Sequence, residues 1–290
     1  MTLIIAGHSL QSSGFGDGKS TFCNGVFLAA DSNITQRGCV LVNGFKKVVE
    51  TPVRVNGLNF LGDWFNGYHG HSYEGGCAIA FAGSTLVAQH IMNSIKNHLS
   101  DLNPTRINGK YQLAMPCEKK KFLCGYYDED MFQKRDLGAN YLLSAPFIAS
   151  VVEHSIQSVL ERAKNHDGMK HSFSAYQAEF ILGVCCPETN NYHIYQYEIV
   201  PGESGGAEAK MQEIPMGKVA VIGMRQLHEH DANNAFQDAV NNGKRTAQAM
   251  FDFLVTAIKN QNSIGVSEIG LPAFLYKQMG IRLELEKREY

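Results

Sequence analysis

The sequence predicts an α+β fold, a four-layer α-β-β-α sandwich of two antiparallel sheets, on two main observations. The elements come in runs, strands then helices then strands again, and not in strict strand–helix alternation, which favours antiparallel pairing with helices packed outside. The helical stretches come as two pairs, one for the outer face of each sheet. A third observation sets the extent: no linker composition and no internal repeat divides the 290 residues, so the chain reads as a single domain, 1–290.

The elements follow in order. TLIIAG (2–7), GVFLAAD (25–31), VRVNGLNF (53–60) and CAIAFAG (77–83) are β-prone runs bounded by Gly, Asn or Pro. A long hairpin loop at about 8–23 separates the first two. After Gly83 the period changes: Leu86, Val87, Ile91, Met92, Ile95 and Leu99 recur at helical spacing behind a Ser84 N-cap. Residues at about 100–143, rich in turn formers and charge, read as an insertion without its own core. A second helix is expected over 145–165, with Phe147, Ile148, Val151, Val152, Ile156 and Leu160 on one face. Strands return at AEFILGVCC (178–186), NYHIYQYEIV (191–200) and KVAVIG (218–223), joined by PETN and the Gly-rich GESGGAEAK. A helical block at 231–261 and two short strands, PAFLYK and IRLELE, close the chain.

Composition removes several function classes. Lys+Arg 26 against Asp+Glu 28 gives −2 with no basic stripe, which argues against nucleic acid; the three lysines of CEKKKF read as solvated. No apolar run approaches the roughly 20 residues of a spanning helix, and MTLIIAGH lacks a basic n-region and a cleavage site, so the expectation is a cytoplasmic protein with no membrane partner. Seven scattered cysteines without CxxC spacing fit neither a disulfide framework nor a zinc knuckle. His69-Gly-His71 and His228-Glu-His230 have no sequence-local partners and read as surface or satisfied histidines, so no metal and no cofactor is expected. SGFGDGKST (13–21) imitates a phosphate loop but has Ser13 where a Gly is required and is followed by a strand, not a helix.

The chemistry gathers elsewhere. Asp31 ends an apolar strand, Lys47 follows sixteen positions later in GFKKVVE, and Thr2 stands at the start of the first strand. A Thr hydroxyl needs a nearby base. The α-amine of a terminal residue, at a pKa of roughly 7.7–8.0, suits that task better than a lysine at about 10.4. Removal of Met1 would supply that amine on Thr2 itself. A cationic Lys47 would favour the deprotonated amine and hydroxyl, and Asp31 would hold the ammonium in place.

TLIIAG, LAADSNIT, GFKKVVE and IAFAGSTLVAQ, in this order, resemble the start of a proteasome β-type subunit, in the amino-terminal-nucleophile (Ntn) hydrolase family. The resemblance implies the same sandwich fold and a threonine peptidase in which Thr2 is the nucleophile and Asp31 and Lys47 are its supports. It also implies an oxyanion donor in the backbone N–H of Ala80 and a substrate-pairing backbone at Thr35. In KNQNSIG it assigns Asn260 and Ser263 to the network around the terminal amine, with Asn where the family has Asp; in VIGMRQ, Met224 replaces a Ser. Implied partners are a peptide or unfolded protein substrate, further copies of the chain in a homo-oligomeric ring, and an ATP-dependent unfoldase. A catalytically silent ring subunit and a small-molecule amidohydrolase using the same nucleophile are the alternatives. The resemblance omits the 8–23 loop, GDWFNGYHGHSYEGG and the 100–143 insertion.

Overall fold

The computed structural model describes residues 1–14, 19–36, 39–108, 110–118, 122, 124–127, 142–166, 176–202, 206–263, 268–281 and 285–290. One sheet is built from β1 (Leu3–Gly14), β2 (Lys19–Ala30), β13 (Val219–Gly223), β14 (Phe274–Gln278) and β15 (Arg288–Glu289) in the order β13-β1-β2-β14-β15. The other is built from β5 (Val48–Leu61), β6 (Trp64–Gly83), β10 (Ala178–Cys185), β11 (Tyr192–Pro201) and β12 (Ala207–Glu213) in the order β12-β11-β10-β6-β5, with β9 (Gly125–Tyr126) added on β6. Every pairing between these strands is antiparallel. Two small ribbons, β3 (Ile34–Gln36) with β4 (Cys39–Val42) and β7 (Asn103–Ile107) with β8 (Lys110–Ala114), stand apart. Among the described residues the α-helices are α1 (Thr85–Leu99), α2 (Ala145–Ala163), α3 (Arg225–Asn241) and α4 (Thr246–Ser263). None is long and apolar enough to cross a membrane.

The central strands are apolar on both faces, which explains runs such as LIIA and AIAFA that do not alternate with polar residues. Leu3, Ile5, Phe27 and Ala29 pack with Phe236, Met250 and Leu254 of α3 and α4. Ile79, Phe81, Phe180 and Leu182 pack with Ile91, Ile95, Val152 and Ile156 of α1 and α2. Between the sheets, Ile4, Ala6, Val26, Leu28 and Ala30 meet Ala78, Ala80, Ala82, Ile181 and Ile194. The three alanines of β6 keep that inner layer thin and allow close approach of the sheets.

Several boundaries differ from the sequence reading. Most of the segment 8–23 is ladder and not loop: β1 and β2 stay paired out to Gly14↔Lys19, past a bulge between His8 and Leu10. That bulge is filled from α4, where the Thr246 hydroxyl donates to His8 O and accepts from Leu10 N, both at 2.8 Å. Residues 15–18, the turn of the phosphate-loop imitation, lie outside the described residues. GDWFNGYHGHSYEGG is strand from Trp64 onward, with Gly62 and Asp63 as the turn, because β5 and β6 continue as one long hairpin to Leu61↔Trp64 with register shifts along it. GESGGAEAK contributes the exposed edge strand β12. The 231–261 block divides into the two helices expected of it but starts earlier, at Arg225; α3 is closed at 241–244 by N–H bonds from Asn242, Gly243 and Lys244 back to Asp238, Val240 and Ala239. Of the expected IRLELE strand, Leu285 forms a bridge with Gln278 and Glu286 exchanges backbone hydrogen bonds with Lys277, while residues 282–284 lie outside the described set. In the 100–143 stretch, Leu102, Leu113 and Leu143 join the α1–α2 core, while 109, 119–121, 123 and 128–141 are not described.

Candidate active site

β1 is flanked by β13 and β2, so the residue just before it, Thr2, emerges between two strand ends. Asp31 follows the last residue of β2 and continues the β1–β2 pairing by other means: its N–H donates to Leu3 O (3.2 Å), and its Oδ1 accepts from Leu3 N (2.9 Å). Its second oxygen accepts from Asn33 N at 3.1 Å. Lys47, just ahead of β5, is anchored through its carbonyl, which accepts from Phe81 N (3.1 Å). From there its ammonium donates to Asp31 Oδ1 at 2.8 Å and to Thr2 Oγ1 at 2.9 Å. The ion pair is sealed, with 3% of Lys47 and none of Asp31 exposed.

Burial governs the electrostatics of the pair. Desolvation pushes the Asp31 carboxyl above the usual carboxylate range, against the Lys47 charge and its hydrogen bonds. Desolvation likewise holds the Lys47 ammonium below the usual lysine range, with Asp31 opposing. A lysine in that condition, bonded to a hydroxyl, can both stabilise an alkoxide and take part in proton transfer. Partial burial also lowers the Met1 α-amine, with the charge of Glu268 opposing most strongly. That amine donates to the Thr35 hydroxyl.

Around this cluster lies a cleft of about 830 Å³. Thr2 and Lys47 form its floor, β3 supplies Ile34 and Thr35, and the start of α3 supplies Met224, Arg225 and Leu227. Glu179 and Glu198 also line the cleft, and Arg225 pairs with Glu198 and, at 3.0 Å, with Glu229. Glu179 accepts from Gly223 N at 2.7 Å, and burial pushes its carboxyl up. Met224 N donates to Thr2 O at 2.8 Å, so the peptide that follows Thr2 is fixed from β13.

The sequence-predicted residues divide into those brought together and those not. Thr2, Asp31, Lys47 and Thr35 converge. Ala80, expected to offer its backbone N–H, does not line the cleft: it lies three residues short of the end of β6, paired between Val48 of β5 and Ile181 of β10, with its side chain buried in the inter-sheet core. Phe81, Ala82 and Gly83 line the cleft in its place. By the two-residue alternation of a strand, the Gly83 N–H leaves β6 on the same side as that of Phe81, but beyond the start of β5. Asn260 and Ser263 are also elsewhere, exposed on the last turn of α4, where the Ser263 hydroxyl donates to Asn260 O at 2.7 Å. Of the acids whose charge acts on the Met1 α-amine, Glu268, beyond that helix, acts more strongly than Asp31. Glu179 had a legible signal as a lone charge inside an apolar strand; Glu268 had none.

No protein-family model matches the sequence, and no curated protein matches it. Solved structures do match. The fold is similar to that of Anbu. A mutant of Anbu from Hyphomicrobium sp. strain MC1 superposes with a TM-score of 0.51 at 12% identity, covering 100% of this chain and 87% of that one. Anbu from the same strain in another crystal form gives 0.50 at 13% identity, covering 99% and 87%. At such identity the likeness to Anbu is one of fold, a mixed α/β architecture with antiparallel sheets.

Proposed function

We propose that the chain is a proteasome-like amino-terminal threonine hydrolase that cleaves amide bonds after Met1 is removed. The observation that carries this reading is the 2.9 Å contact between Thr2 Oγ1 and a lysine that is itself held by a buried carboxylate. Loss of Met1 leaves the Thr2 α-amine as the base for its own hydroxyl. Oγ attacks the substrate carbonyl, its proton passes to that amine, and the charge developing on the carbonyl oxygen is met by the Gly83 N–H. The tetrahedral adduct then expels the substrate amine, which takes the proton, and leaves an ester on Thr2. Water, deprotonated by the same amine, hydrolyses the ester and restores the hydroxyl.

Three separate apolar clusters, two lying between a sheet and a helix pair and one between the sheets, support a four-layer Ntn-type sandwich. The likeness to Anbu supports the same fold. Assembly into a homo-oligomeric ring, a peptide or unfolded-protein substrate and an ATP-dependent unfoldase belong to this proposal through the sequence resemblance. The size of the cleft favours a second reading, hydrolysis of a small amide, since about 300–1,000 Å³ is typical of small-molecule sites.

Intact-mass measurement of the purified chain, with and without a threonine-reactive β-lactone, tests the central claim. The expected result is loss of Met1 and one adduct on Thr2, absent in Lys47→Ala. Retained Met1, or a Met-free chain that takes no adduct, would sink it. Native mass distinguishes a ring from a monomer, and a monomer at micromolar concentration would favour the small-amide reading.

A further inference from the structure

We propose that His98, Cys117 and His154 form a binding site for a zinc-class dication that clamps the turn after β8 onto the α1–α2 helix pair. One ring nitrogen of each histidine and the Cys117 Sγ lie within 4.8 Å of one another. Cys117 Sγ and His154 Nε2 are already 3.3 Å apart, and the two imidazole centroids 5.5 Å. Tetrahedral zinc with N ligands near 2.1 Å and S near 2.3 Å sets its ligand atoms about 3.5 Å from each other, so closure takes a shift of roughly 1 Å. Cys117 and His154 are exposed and free to make it.

The supports of these ligands are what a metal site requires. His98 is buried on the last turn of α1, and its Nδ1 lies 2.7 Å from Ser155 Oγ. Ser155 spends its own proton on Val151 O at 2.6 Å, so its oxygen can only accept from His98. That assigns the ring proton to Nδ1 and leaves Nε2 as the lone-pair donor, the second-sphere arrangement that orients ligating histidines. Cys117 is held in a turn closed twice, by Glu118 N–H to Met115 O (3.0 Å) and Met115 N–H to Glu118 Oε2 (2.9 Å). Among the described residues Arg162 is a nearby cation that opposes a dication, but its guanidinium is turned along its own helix to Ser158 O and Oγ at 3.0 and 3.1 Å.

The donor set decides the class of metal. Two imidazoles and one thiol suit zinc and its neighbours and exclude calcium or magnesium, which take oxygen ligands. Binding would expel the Cys117 proton to solvent and form one metal–thiolate bond. The site is separate from the Thr2 cleft: His98 lies thirteen residues along α1 from Thr85 at the cleft wall, about 20 Å at 1.5 Å per residue. Its role is to tie together three segments distant in sequence.

The test uses the full chain, stripped with a chelator and titrated with Co²⁺ and then Zn²⁺. The expected result is one Co²⁺ per chain with a thiolate-to-cobalt charge-transfer band, displaced by Zn²⁺, and a Zn²⁺-dependent rise in Tm. Cys117→Ser should abolish the band and His154→Gln the Tm rise; both replace exposed side chains and leave the core intact. Ser155→Ala should weaken Zn²⁺ binding by about 10–100-fold. Absence of the band in the folded chain overturns the proposal. So does a band that survives Cys117→Ser, or binding unchanged in His154→Gln.

Discussion

A β-carbon built on Gly223 would lie 2.0 Å from the carbonyl oxygen of Thr2, so the end of β13 and the proposed nucleophile are in direct backbone contact. Gly223 also sits at φ +84, a conformation that L side chains rarely adopt. Gly223→Ala is expected to displace Thr2 from Lys47 and to cost about 1–3 kcal/mol through backbone strain alone. Urea unfolding and the rate of β-lactone labelling check both halves; labelling at the wild-type rate would show that Thr2 had not moved.

Lys47 offers a sharper separation of stability from chemistry. Its replacement by Ala leaves Asp31 charged, buried and without its ion-pair partner, with an expected cost of about 3–5 kcal/mol. The double replacement of Asp31 and Lys47 by apolar residues should recover much of that loss without restoring β-lactone labelling. Equilibrium unfolding of the single and double variants measures the recovery.

His8 predicts an acid weakness remote from the cleft. Its Nε2 faces Tyr192 O at 3.1 Å, which requires a proton on that nitrogen, while Nδ1 is buried without a partner. Burial holds the imidazole below its ordinary value of 6.5. A folded-state value lowered in this way means that the stability is present above 6.5 and is lost as pH falls from there through the folded value, because the unfolded chain binds the proton first. The urea midpoint should therefore fall with pH in this window, and the fall should be shallower in His8→Gln. An equal slope in the variant would assign the effect to another group.

Thr246 is the fourth test. Thr246→Val keeps the shape but leaves His8 O and Leu10 N unpaired at the β1 bulge, with an expected cost of about 2–4 kcal/mol. Hydrogen exchange at Leu10 should accelerate, with the far end of β14 unaffected.

What could be read in the sequence follows from periodicity. Asp31 and Thr2 were legible because two fully apolar strands, TLIIAG and GVFLAAD, pair with their polar ends at one rim. Ala80 was misplaced because a sequence does not show where a strand stops, and a shift of three residues changes both the face and the depth. Asn260 and Ser263 failed for the same reason in a helix: α4 runs on to Ser263 and carries both onto its exposed last turn. The long β5–β6 hairpin reads in sequence as two shorter strands, 53–60 and 77–83, because the stretch between them is polar and rich in Gly. Gly57 instead serves close approach, since a Cβ there would meet His69 O at 2.7 Å. The His98–Cys117–His154 group was illegible because its members come from two helices and a turn with no common spacing.

The position of β1 has a practical consequence for whoever expresses this chain. Thr2 is held by the Met224 N–H after β13 and by the Lys47 ammonium ahead of β5, and Met1 lines the cleft. An affinity tag fused ahead of Met1 would start in this cleft and, under the proposed mechanism, would keep the Thr2 amine from being released. A carboxy-terminal tag, at the exposed Tyr290, avoids this, and failure of an amino-terminally tagged preparation to take the β-lactone would report on the fusion, not on the proposal.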